Sequence, residues 1–120
     1  MKKSTQRNFL VNIYRARYRT YDADGPVQPD ITWLPLSYGA DGNGCYVMRM
    51  SPGSETIIHT HERMEEFLVL EGEVIESDGS RLQAGDFISY PPGSCHNTRT
   101  ETGCLLIGFD WRREPDPKNE

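Results

Sequence analysis

Short runs of strand-forming residues, punctuated by glycine and proline, make up most of the chain, and apolar residues at helical spacing are hard to find anywhere. The pattern predicts strands over 31–36, 45–51, 56–60, 65–70, 73–77, 86–90, 95–100 and 104–111, and therefore an all-β fold. Between 73–77 and Ser80-Arg81-Leu82, the dipeptide Asp78-Gly79 predicts a tight hairpin, because glycine takes positive φ without a Cβ penalty. Turns at 39–44 and 51–53 bracket the strand at 45–51, and 22–26 reads as loop. Along 65–70, Phe67 and Val69 share one face while Leu68 and Leu70 share the other. A strand that is apolar on both faces needs cover on both, so the N-terminal segment or a second subunit is expected over the second face.

At 120 residues the chain has room for one continuous core and not two. No apolar run approaches the ~20 residues of a membrane span, which excludes a transmembrane helix. The start carries Lys2, Lys3 and Arg7 like a signal peptide, but only Phe9-Leu10-Val11 follows before Asn12, with no small-residue cleavage site, so a cytoplasmic location is expected. Cys45, Cys95 and Cys104 are odd in number and lack a CxxC pair, which argues against a disulfide framework or a thiolate zinc site. All three are expected to be small buried apolar residues. The net charge of −5 disfavours a nucleic-acid surface. One cationic feature stands apart: Arg15, Arg17 and Arg19 alternate with Ala16 and Tyr18 and would share a face if extended, as charges guarding an edge strand.

The histidines carry the chemistry. His59 and His61 are two apart in a strand-like stretch, so both would project from one face with backbones about 6–7 Å apart. After 62–64 the chain re-enters a strand at Glu65, an anionic oxygen donor, and His96 offers a third imidazole far along the sequence. The chain's three histidines all fall in this constellation. Three nitrogens with one carboxylate suit Mn, Fe, Co, Ni, Cu or Zn rather than the all-oxygen shell of Ca or Mg.

The spacing around these residues is more specific still. Gly53, five residues, His59-Thr60-His61, three residues, Glu65, six residues and Gly72 resembles the first cupin motif, and Gly85, five residues, Pro91-Pro92-Gly93, two residues and His96 resembles the second. Where the family often has Asn beyond the histidine, after three intervening residues, this chain has Thr100, with Asn97 next to His96. Residues 65–72 and 90–96 look most like the cupin domain of ChrR-type anti-sigma factors, with β-diketone dioxygenases among similar single-domain cupins. The resemblance implies a double-stranded β-helix (a jelly-roll barrel) over 31–111, preceded by an N-terminal extension at 1–30 that can reach a dimer partner and followed by a polar tail at 112–120. It also implies one divalent transition metal inside the barrel (Fe, Zn, Mn or Ni), held by His59, His61, Glu65 and His96. Glu66 is the competing carboxylate, but on a regular strand it faces away from Glu65. A homodimer is expected, in keeping with Leu68 and Leu70.

Tyr46, Met48 and Met50 share one face of their strand, opposite Val47 and Arg49, and are expected with Phe67 at the cavity. Arg49, Arg63, Arg99 and Tyr90 are the polar groups available to an anionic or enolate ligand. Cys95, beside His96, would point the other way, into the core. Two functional classes follow. One is a small-molecule enzyme of non-haem metal dioxygenase type, in which four protein ligands leave two neighbouring positions on an octahedral ion. The other is a metal-stabilised sensing or binding module, in which the same ligands complete a tetrahedral zinc shell. The anti-sigma proteins carry a separate helical partner-binding region that has no counterpart here, so direct sigma-factor inhibition is not expected.

Overall fold

The computed structural model of the chain describes residues 8–23, 25–60 and 62–111, the His59 side chain excepted. His61 and the predicted tail at 112–120 lie outside the described residues. The described residues form ten strands: β1 Arg19–Tyr21, β2 Gln28–Tyr38, β3 Gly44–Met50, β4 His59–Thr60, β5 Met64–Glu76, β6 Arg81–Gln83, β7 Phe87–Tyr90, β8 Cys95–His96, β9 Thr98–Arg99 and β10 Cys104–Trp111. The main sheet runs β1-β2-β3-β10-β5-β6 with β7 and β9 also paired to β5, and β4 pairs with β8 separately. All pairings are antiparallel. The sheet thus begins before residue 31, since β1 and the first residues of β2 belong to it. Among the described residues no helix is long and apolar enough to cross a membrane.

β5 rolls the sheet. Its first part pairs with β10 and β7 and its end with β6 and β9, so one strand belongs to both walls. The sequence pattern predicts two strands here, 65–70 and 73–77, split at Glu71-Gly72. They are continuous because Gly72 takes φ 81° against the backbone of Gly103 and Cys104, where a Cβ would overlap the Gly103 carbonyl oxygen. The β5–β10 register shifts between Leu105 and Leu106, a bulge that bends the ladder while the chain stays extended.

The predicted hairpin forms as a three-residue loop. Glu76 N–H donates to Ser80 O, Gly79 N–H donates to Glu76 O, and Gly79 sits at φ 90°. The predicted strand at 95–100 is instead two short strands, because β8 pairs with β4 while β9 pairs with β5, and Asn97 stands between them. Arg15 and Ala16 donate backbone hydrogen bonds to Asn12 O in a turn, so the three arginines do not share one extended face; only Arg19 lies on the edge strand β1.

The interior side of the sheet is built by alternation. Tyr46, Met48 and Met50 of β3 are buried, and their β10 partners are Gly108, Leu106 and Cys104. Phe67 and Val69 of β5 are buried beside them, while Leu68 and Leu70 are half-buried. Each such large apolar side chain removed from water contributes roughly 1.5–3 kcal/mol. The N-terminal stretch does reach the far side of β3, where the Arg49 guanidinium lies 5.0 Å from the centre of the Tyr18 ring. Cys104 is buried and Cys45 half-buried, but Cys95 is exposed, contrary to the expectation for it. Its neighbour His96 takes the inward face of β8, and Cys95, on the other face of that two-residue strand, is exposed.

Candidate metal centre

Four expected ligands are spread over 38 residues of sequence, and the fold draws together those that are described. β4 lies against β8 with His59 and His96 as directly opposed partners, which brings two positions 37 residues apart to a backbone separation of about 4.5–5.5 Å. His96 is 5% exposed, and its Nε2 stands 3.3 Å from Glu65 Oε1. Its Nδ1 lies 3.1 Å from Oε1 of Glu76, whose side chain is fully buried. The Tyr90 ring stacks flat on the imidazole, 3.9 Å between centres and 6° between planes. Glu65 and Glu66 diverge as a regular strand requires: Glu65 turns to His96, while Glu66 accepts a hydrogen bond from Trp111 Nε1 at 2.9 Å on the outside.

A void of about 30 Å³ lies between Glu65, His96, Tyr46, Met48, Phe67 and Leu106. That is room for one ion or water and little else. Burial pushes the His96 imidazole toward its neutral form, but the Glu65 and Glu76 carboxylates outweigh it and raise its pKa to about 9. A buried imidazole nitrogen beside a carboxylate oxygen is the kind of donor pair that a divalent transition metal takes. Among the described residues no third histidine, cysteine or carboxylate completes a cation-holding group around this pair.

The family model of the ChrR cupin-like domain matches residues 15–112. The chain belongs to this family. Comparison with curated protein sequences gives no match. Among solved structures, an RmlC-like cupin from Shewanella frigidimarina is 23% identical, with 92% of this chain and 97% of that one covered at a TM-score of 0.71. An acetylacetone dioxygenase from Acinetobacter johnsonii is 18% identical over 92% of this chain and 78% of that one, also at 0.71. In the complex of Rhodobacter sphaeroides SigE with the anti-sigma ChrR, the match is 20% identical over 83% of this chain and 52% of that one, at 0.68. At these identities the likeness is one of fold: an all-β cupin, as the sequence motifs imply.

Next to the void, the cupin barrel opens into a cleft of about 510 Å³ that shares Tyr21, Tyr46 and Glu65 with it and adds Trp33, Tyr38, Arg63 and Asp110. The rings of Tyr21, Trp33 and Tyr46 meet edge to face, with centres 5.4 and 5.9 Å apart. Burial raises the Tyr46 and Tyr38 phenols above their usual range, and Asp110, which accepts a 2.8 Å hydrogen bond from Tyr38, adds to the second; both stay neutral hydroxyls. At the cleft, Arg63 donates to Asn43 Oδ1 at 3.3 Å.

Of the expected pocket residues, Tyr46, Met48 and Phe67 border the void and Tyr90 stacks on His96. Met50 is core, one step deeper along β3. Arg49 and Arg99 line neither the void nor the cleft beside it. Both are exposed, Arg49 over Tyr18 and Arg99 3.4 Å from Glu101, because each sits at the outward phase of its strand. The Thr100 that stands where Asn was expected is structural, its hydroxyl donating to Glu73 O at 2.7 Å and accepting from Gly103 N–H.

Sequence reasoning passes over Glu76, Gly108 and the aromatic pair Tyr21 and Trp33. Glu76 had a signal, since it shares the strand face of Val74, which is wholly buried. Gly108 is opposed by both Tyr46 and Phe67, and a Cβ there would overlap the Tyr46 ring, so this glycine makes the space in which that ring lies.

Proposed function

We propose that this cupin holds one divalent transition-metal ion (Fe, Zn, Mn or Ni) through His59, His61, Glu65 and His96, and acts as a small-molecule enzyme of non-haem metal dioxygenase type. The observation that carries it is the convergence of Glu65 and His96 on an ion-sized void that shares Tyr21, Tyr46 and Glu65 with an aromatic cleft. A bound ion supplies Lewis-acid polarisation of a coordinated substrate oxygen and, as iron, redox capacity toward dioxygen. The chain's own residues do the rest. Trp33, Tyr21 and Tyr46 accept a planar, largely apolar ligand, and Arg63 offers a guanidinium to its anionic or enolate oxygen. Met48, Phe67 and Leu106 keep the floor of the site dry, which strengthens every polar contact above it. The homodimer belongs to the same proposal, through the half-buried Leu68 and Leu70, and sedimentation equilibrium checks it: a monomer at all concentrations removes it.

Metal analysis of protein purified without oxygen is the direct test. Close to one iron per chain, with oxygen uptake on a β-diketone or phenolic ketone, is the expected result. The void's small size favours a second reading, a closed zinc site in a sensing or binding module. One zinc per chain, with no oxygen uptake after iron reloading, would select that reading and overturn the enzyme.

A further inference from the structure

We propose that Glu76 is the positioning residue of the cation site, orienting His96 so that Nε2 is presented beside Glu65. The inference rests on the metal-binding reading above and adds to it a carboxylate that the ligand motif does not contain.

A buried carboxylate is costly unless its oxygens are partnered. Glu76 sits at the end of β5 with its side chain fully buried, and three other strands supply its partners. Oε1 accepts a 2.6 Å hydrogen bond from the Tyr90 hydroxyl of β7 and lies 3.1 Å from His96 Nδ1 of β8. Oε2 accepts from the Thr98 hydroxyl of β9. The carboxylate is therefore held from two sides before it meets the imidazole, and its position is not free to follow the ring.

An imidazole binds a cation through whichever nitrogen lacks a proton, and the partner of the other nitrogen decides which that is. Glu76 Oε1 lies 3.1 Å from Nδ1, though the two are not aligned as a hydrogen bond; a buried carboxylate at that distance favours the proton on Nδ1, which leaves the lone pair on Nε2, the atom 3.3 Å from Glu65 Oε1. The Tyr90 ring, parallel to the imidazole at 3.9 Å, blocks the ring flip that would exchange the two nitrogens. Tyr90 thus acts twice on one histidine, through its ring on the imidazole face and through its hydroxyl on the carboxylate.

A Glu76 that merely ties β5 to β9 would matter for stability and not for the ion. Cobalt(II) separates the two, since it reports affinity by competition with a chelating dye and coordination by its visible absorption. The probe is applied to the full chain, stripped of metal and reloaded, as wild type and as Glu76→Gln, which keeps the side chain's size and removes its charge. The expected result is a 10–100-fold weaker cobalt Kd in the variant, with a shifted absorption spectrum. If wild type binds cobalt and Glu76→Gln matches it in both, the positioning role is overturned and the metal site stands. Failure of wild type to bind cobalt overturns both. Should Glu76→Gln not fold, Tyr90→Phe keeps the stacked ring and removes the hydroxyl that fixes the carboxylate. It is expected to weaken cobalt binding several-fold, and an unchanged Kd and spectrum there overturns the inference equally.

Discussion

Replacing His59 and His61 together with alanine is expected to take metal content from about one ion per chain to none and to lower the melting temperature in metal-supplemented buffer. His59 lies in β4, a two-residue strand that among the described residues pairs with β8 and not with the main sheet, so its substitution disturbs little of that sheet. An ion that binds only the native chain stabilises it by RT ln(1 + [L]/Kd), about 4 kcal/mol at a thousand-fold excess over Kd. For a domain of this size that corresponds to a melting shift on the order of 10–20 °C. The double variant should lose this increment and melt at the same temperature with and without metal, as calorimetry reads directly. Retention of one ion per chain would remove both histidines from the ligand set.

Gly72→Ala is expected to be strongly destabilising while leaving the ligands in place. Two effects add. A non-glycine residue in the left-handed region costs roughly 1–2 kcal/mol, and Gly72 sits at φ 81°. The new methyl would also overlap the Gly103 carbonyl oxygen, which belongs to backbone and cannot swing aside as a side-chain end can. Overpacking of that kind typically adds 1–3 kcal/mol. A loss of about 2–5 kcal/mol is expected from urea unfolding. Gly79→Ala is the control, because Gly79 has a similar φ of 90° with nothing within 4 Å of the added methyl. It should lose about 1–2 kcal/mol, from the dihedral alone. Equal losses at the two glycines would show that the close approach of β5 to β10 contributes nothing.

Much of the molecule was legible along the chain, and the reason is periodicity. The alternation at 45–50 placed Tyr46, Met48 and Met50 on one face, and all three are buried. The same alternation puts Glu65 and Glu66 on opposite faces, and they turn to His96 and Trp111. It failed where a position depends on which strand pairs with which. Charge alone makes Arg49 and Arg99 candidates for an anionic ligand, with surface charge the better reading for each, and both are exposed; Cys95, opposite in phase to His96, reads as core. An outward phase on a short strand leads to solvent instead.

Spacing of glycine, histidine and glutamate within two local segments was enough to name the all-β cupin family and nominate four donors, because strand geometry and turn chemistry act over a few residues at a time. What local rules leave open is the meeting of those segments. Placing His96 opposite His59, closing β5 onto β10 at a glycine, and burying Glu76 behind the imidazole are long-range pairings. They depend on how the rolled sheet closes, which no run of neighbouring residues encodes.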